Sequence, residues 1–225
     1  MRMSRLVGIH RYEEESFDTY DYLNIDTLSG LSYQERIFIN TPITDPNVKI
    51  QTKICQKYET DGFNIFVKHG NVEGGITEGL CTYHYYFRKI AFAALDNNNT
   101  PKTVGNDLVM NQWYAVTAQF GSQSVQITID GVDYTATRTT EYTDMQGTWL
   151  LFATKFSTGH SELSIQDITF YDQTDTVLAH FIPCVKHPGR YIGMYDSVSD
   201  IFYPAYYNNQ MLTTHDDFLS VGNLS

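Results

Sequence analysis

The side chains that could do chemistry in this 225-residue chain are dispersed. The seven histidines are His10, His69, His84, His160, His180, His187 and His215, and no two stand two or four positions apart. Neither the strand nor the helix spacing of a paired metal site is present, so they read as surface or satisfied core residues. His160, Ser161 and Glu162 supply the residue types of a nucleophilic triad in consecutive positions. Neighbours on a strand point to opposite faces, which argues against a shared site. The strand–turn–helix elbow that presents a serine in a G-x-S-x-G sequence is absent. Glycoside hydrolysis needs two carboxylates held about 5 to 9.5 Å apart, and no E-x-D-x-x-E pattern puts such a pair on one strand face. Asp96, Asn97, Asn98 and Asn99 form the densest set of oxygen ligands for calcium. Asparagine also tolerates the left-handed backbone of a polar hairpin loop, and that is the reading adopted. The glycine-rich "VEGGITEG" lacks the lysine and helix of a phosphate loop. No catalytic residue, metal or cofactor is expected.

What remains are tyrosines. "CTYHYYF" carries Tyr83, Tyr85 and Tyr86, and "FYPAYYNNQ" carries Tyr203, Tyr206 and Tyr207 before Asn208 and Asn209. Phenol rings give rigid stacking area to a sugar or a protein neighbour. Strand alternation puts Tyr83 and Tyr85 on the face opposite Tyr86, so part of that cluster turns to the core.

These residues must be positioned by strands. Hydrophobic residues make up 42% and charged residues only 18%, which excludes a disordered chain, and the 14% aromatic content favours sheet. "NVKIQTKIC" puts Val48, Ile50, Thr52 and Ile54 on one face and Lys49, Gln51 and Lys53 on the other. "FNIFVKHG" follows the turn "ETDG" and reads as its hairpin partner. "SVQITIDGVDYTATR" alternates up to Asp130-Gly131, the residues of a tight hairpin turn. "QWYAVTAQF" is a strand carrying Trp113, and "TWLLFATKF" reads as a strand buried on both faces. In "ELSIQDITFYD" the apolar parity changes between Ile165 and Ile168, the mark of a bulge or bend. "TVLAHFIP" returns after the turn "DQTD". Roughly ten to twelve strands with turns between them make an all-β protein, a single antiparallel β-sandwich over residues 22–214. An N-terminal arm, 1–21, precedes it, and a polar tail, 215–225, follows.

A net charge of −11 without a Lys/Arg cluster argues against nucleic acid. No apolar run is long enough for membrane insertion as a helix. "MRMSRLVGIHRYEEES" has no apolar core of a signal peptide. Cys55, Cys81 and Cys184 are odd in number and irregularly spaced, so they read as small buried hydrophobes of a protein made in a reducing compartment.

The back third carries a series of elements in order: Leu151-Phe152-Ala153, Ile168-Thr169-Phe170-Tyr171-Asp172, Leu178 to Cys184, and Gly193-Met194-Tyr195-Asp196 leading to Phe202-Tyr203. Together with "SYQERIFINTPITDPNVKIQTKI" and "NQWYAVTAQFGSQSVQITIDGV", this resembles the concanavalin A-like/laminin-G-like jelly-roll domain of bacteriophage virion and tail-associated proteins. The same domain occurs in surface proteins of gut bacteria. The chain departs from that pattern in its first 25 residues and in lacking a closing Gly-Thr-Gly after Tyr203. The resemblance implies a non-catalytic virion structural protein: a capsid decoration, a fibre or a tail component. Its implied partners are capsid or tail subunits, with assembly in the host bacterial cytoplasm and a homo-oligomer compatible with both. The alternative it implies is an adhesin module for host-surface carbohydrate. Placed on the same pattern, Gly193 to Asp196 becomes the turn of the last hairpin and Ile201 to Tyr203 its closing strand. Tyr206, Tyr207, Asn208 and Asn209 are then a contact surface, with a protein neighbour preferred over a sugar.

Overall fold

The computed structural model describes residues 15–27, 37–57, 62–70, 78–84, 92–95, 101–104, 108–121, 124–137, 147–151, 161–207, 209–217 and 219–225, and every regular element among them is a β-strand. The first ten strands are β1 (Ser16–Thr19), β2 (Tyr22–Thr27), β3 (Ile37–Asn40), β4 (Lys49–Gln56), β5 (Gly62–Gly70), β6 (Glu78–His84), β7 (Phe92–Leu95), β8 (Pro101–Val104), β9 (Trp113–Phe120) and β10 (Ser124–Ile129). Next come β11 (Val132–Thr137), β12 (Thr148–Leu151), β13 (Ser161–Ile165), β14 (Ile168–Tyr171) and β15 (Val177–His187). The chain ends with β16 (Tyr191–Asp196), β17 (Ile201–Pro204), β18 (Tyr206–Tyr207), β19 (Gln210–Met211) and β20 (Leu219–Gly222).

Alternation works as the sequence expects. Val48, Ile50, Thr52 and Ile54 are buried, while Gln51 and Lys53 face solvent. The β10–β11 hairpin closes through Asp130 and Gly131, both at positive φ (47° and 82°), which is the two-residue turn that matches strand twist. Trp149, Leu150 and Leu151 are all buried, so the described part of β12 is covered on both faces.

Two sheets face each other across an aromatic core. One follows the order β11-β10-β9-β4-β14-β15-β16-β17, with β1, β2, β13 and β20 attached; the other runs β19-β18-β3-β12-β5-β6. Trp149 of the smaller sheet meets Phe120 and Phe170 of the larger at ring-centroid distances of 5.1 and 5.9 Å. Phe170, Phe181 and Tyr203 continue the contact edge-to-face. Trp149 is fully buried because its indole N–H donates to the Asp45 carbonyl at 2.8 Å.

Three expectations change. β5 is not the hairpin partner of β4: β4 pairs with β9, β13 and β14, and β5 pairs with β12 and β6 in the other sheet. Sequence adjacency across "ETDG" therefore spans a crossover between layers. Gly193 to Asp196 belongs to β16, and the turn lies at residues 197–200. Among the described residues twenty strands stand where ten to twelve were expected, because an apolar run breaks at a bulge and residues 16–19 and 219–222 join the sheet.

The parity change at Ile165–Ile168 is one such bulge. Between the pairs Ile54/Ile165 and Gln51/Thr169, β4 has two residues and the facing strand has three. The sheet forks there. β13 leads to β2 and β20, while β14 leads to β15. β1 and β2 enter the fork, β1 on β15 and β2 on β13. Residues 16–19 of the expected arm and 219–222 of the expected tail are thus strands of the large sheet; residues 1–14 lie outside the described residues.

The Tyr-Asp dipeptides at 171–172 and 195–196 end their strands in the same way. Asp172 accepts the Thr174 and Thr176 N–H groups, and Asp196 accepts those of Val198 and His180. Each turn closes through an aspartate at positive φ, Asp175 (65°) and Asp200 (60°).

Candidate functional site

Residues directly opposite one another in antiparallel strands point to the same face, with Cβ atoms about 4.5–5.5 Å apart. The register therefore builds a continuous row across the outer face of the large sheet. Asp133 of β11 stands opposite Thr128, Thr128 opposite Thr117, Thr117 opposite Gln51, Gln51 opposite Thr169, and Thr169 opposite His180 of β15. Ser197, whose N–H donates to the His180 carbonyl at 2.9 Å, ends the row. A second row runs Thr135, Gln126, Gln119, Lys49, Tyr171. Every member of both rows carries a hydrogen-bonding side chain. From β11 to β15 the first row spans about 24 Å at the usual inter-strand spacing.

The face is hollowed at its centre into an open cleft of about 440 Å³, bordered by Gln51, Lys53, Thr117, Thr128, Asp167 and Tyr171. Tyr171 is held from two sides. Its hydroxyl donates to Gln51 Oε1 at 2.9 Å, and Lys49 Nζ sits 4.6 Å from its ring centroid while pairing with Asp175. Thr128 donates to Asp133 at 2.6 Å. The bulge turns Asp167 outward to accept from His180 Nε2 at 2.9 Å. The imidazole proton is thereby on Nε2, and Nδ1 accepts from Ser197 Oγ at 3.1 Å. Serine, imidazole and carboxylate thus meet here as in acyl transfer, but the donors for an oxyanion are spent. The Ser197 N–H is bound to the His180 carbonyl and the Val198 N–H to Asp196. Among the described residues, no three His, Cys, Asp or Glu side chains converge as metal ligands.

The sequence candidates that are described lie elsewhere. Tyr206 and Tyr207 form β18 of the smaller sheet, between β3 and β19. Tyr206 stacks on Phe38 at 5.8 Å, and Tyr207 packs against the core. Asn209 is exposed at positive φ (61°) in the β18–β19 turn, and Asn208 lies outside the described residues. Tyr83 is in β6, opposite Phe63; its side chain, and all of Tyr85 and Tyr86, lie outside the described residues. The loop Asp96–Asn99 and His160 also lie outside them. Cys55 and Cys184 are buried, and burial pushes the Cys184 thiol up to about 12.

No protein-family model matches the sequence, and no curated protein does. Solved structures do match. A proposed carbohydrate-binding protein from Bacteroides ovatus superposes with a TM-score of 0.57 at 10% identity, over 91% of this chain and 60% of its own. The shared fold is an antiparallel β-sandwich. Two further likenesses are to a mutant Trypanosoma rangeli sialidase with trans-sialidase activity (TM-score 0.43, 11% identity, 56% of this chain and 20% of that one) and to the receptor-binding domain of botulinum neurotoxin type G (0.39, 12%, 69% and 42%). At those scores neither carries an argument. This chain spans between one fifth and three fifths of the lengths of these three chains.

Thr117, Thr128, Asp133, Thr169, Tyr171, His180 and Ser197 were not singled out from sequence. The signal was present for part of the face, since alternation already turns Lys49, Gln51 and Lys53 outward. What joins them into rows is the register between strands distant in sequence.

Proposed function

We propose that the chain is a non-catalytic carbohydrate-binding domain and that the outer face of its large sheet receives a neutral glycan. The observation that carries this reading is the unbroken row from Asp133 to Ser197 bordering an open cleft. A pyranose chain presents hydroxyls at regular intervals, and the row offers amide, hydroxyl, carboxylate and imidazole partners at strand spacing. Of the two lysines on this face, Lys49 is paired with Asp175, and Lys53 stands at the cleft's border. With a net charge of −11, an anionic polysaccharide is disfavoured. The Bacteroides ovatus likeness over 91% of the chain supports the same reading. Net gains of about 0.5–1.5 kcal/mol per hydrogen bond, set against the cost of association, correspond to affinities of roughly millimolar to micromolar.

The setting we propose is the one the sequence resemblance implies, display on a bacteriophage particle, where such a face would serve adhesion to host glycans. Affinity electrophoresis through gels containing neutral polysaccharides tests the binding. The native protein is retarded by at least one of them, and the double variant Gln51→Ala/Thr169→Ala is not. Equal retardation of the two proteins would move the site off this face.

A further inference from the structure

The same outer face continues past the polar row into a region of different chemistry. Two residues further along β15, Ile182 stands opposite Tyr195 and Tyr195 opposite Phe202; beyond them, Lys186 stands opposite Phe17 of β1 and Tyr191 of β16. The Phe17 ring lies 5.2 Å from Tyr195 and 6.0 Å from Phe202. Lys186 Nζ is 6.0 Å from the Phe17 and Phe202 centroids and pairs with Glu15 at 2.9 Å. The floor is made for these rings. A Cβ on Gly193 would meet the Phe202 ring at 2.9 Å, and one on Gly189 would meet the Tyr191 ring at 2.1 Å. Two of these rings, Tyr191 and Phe202, border a cleft of about 460 Å³ together with Glu15, Lys186, His187 and Pro204. Phe17 is 37% exposed, the edge of an aromatic shelf with no protein cover among the described residues.

We propose that this shelf is a second carbohydrate subsite, which takes the apolar face of a neutral pyranose, and that the protein's ligand is therefore an oligosaccharide reaching from the polar row to the shelf. The inference rests on the carbohydrate-binding reading above. Three observations favour a sugar here. A pyranose has one C–H face for an aromatic ring and an equatorial rim of hydroxyls for charged partners, and here Phe17 and Phe202 lie beside the Glu15–Lys186 pair. That pair is internally neutral, so the rim can exchange hydrogen bonds with hydroxyls without demanding a ligand charge. The shelf is also continuous with the polar row on one side of β15, His180 and Lys186 being about 20 Å apart along the strand, which exceeds a single sugar ring.

The test is calorimetric titration of the full chain with gluco-, galacto-, manno- and N-acetylglucosamine oligosaccharides of one to six residues. For the series that binds, affinity rises roughly tenfold or more between the shortest ligand bound and the hexasaccharide. Phe17→Ser, and independently Lys186→Gln, which leaves strand packing intact, each remove most of that rise. Proton resonances of the Phe17 and Tyr195 rings move on addition of the hexasaccharide. Affinity independent of length, or ring resonances that stay fixed while the Gln51 and Thr169 amides shift, overturns the shelf and leaves the polar row standing. If none of these oligosaccharides binds, the carbohydrate reading falls with it.

Discussion

Replacing Asp196 by alanine removes the carboxylate on which one end of the polar row hangs. Asp196 is 1% exposed; Oδ1 accepts the His180 N–H at 2.9 Å and the Val198 N–H at 3.1 Å, and Oδ2 accepts the Ser199 hydroxyl at 2.6 Å. Bonds to a charged acceptor are worth about 1.5–3 kcal/mol, and a buried donor left unmet costs about 1–3 kcal/mol. Val198 is exposed and its N–H can turn to water, whereas the His180 N–H is held between strands. The expected loss is about 3 kcal/mol, which for a chain of this size lowers Tm by about 6–12 °C. Thermal unfolding followed by circular dichroism measures it. Asp196→Asn keeps one acceptor and recovers more than half of the loss, while Ser199→Ala costs about 1 kcal/mol or less. An Asp196→Ala protein within about 0.5 kcal/mol of the native one, the range of an ordinary surface change, would refute the assignment of Asp196 as the tie between β15 and the β16–β17 turn.

Gly193→Ala places a Cβ 2.2 Å from the Tyr203 carbonyl oxygen on the adjacent strand, so β17 must shift; a loss of about 1–3 kcal/mol is expected in urea unfolding. His69 is fully buried with Nε2 donating to the Thr44 carbonyl at 2.9 Å, and burial lowers its pKa. The unfolded chain then binds the extra proton, so stability is level above about pH 7 and declines as pH falls below about 6.5; urea midpoints at pH 7.5 and 5.5 show this decline, and His69→Gln flattens it. Cys55 and Cys184 are buried, and the Cys184 thiol is pushed up to about 12. Peptide mapping after iodoacetamide treatment at pH 8 finds both unlabelled in the native protein and labelled in urea; rapid native labelling of Cys184 would contradict its burial.

Much of the sandwich was legible in the sequence, because side-chain parity is a local property. Val48 to Ile54, the Asp130-Gly131 turn and the parity change before Ile168 each announce their geometry within a few residues. Layer assignment was not legible: β5 follows β4 closely in the chain, yet lies in the other sheet, since a short connection permits either a hairpin or a crossover. The polar row was hidden for a related reason. Gln51, Thr117 and Thr169 each look like one wet position of one strand, and only the pairing of β4 with β9 and β14 brings them side by side. Tyrosine density in the sequence does not point to this face. Tyr203 turns inward to Phe181 and Tyr206 stacks on Phe38 in the smaller sheet, whereas Phe17, from a segment read as an arm, reaches the outer face.

The central claim is that a neutral glycan lies on the outer face of the large sheet, and amide chemical-shift mapping during titration with the best-binding oligosaccharide tests it most directly. Shifts concentrated at Gln51, Thr117, Thr128, Thr169 and His180 are the predicted result. Shifts confined to the Tyr206–Met211 hairpin of the smaller sheet, with those five residues unmoved, would contradict it.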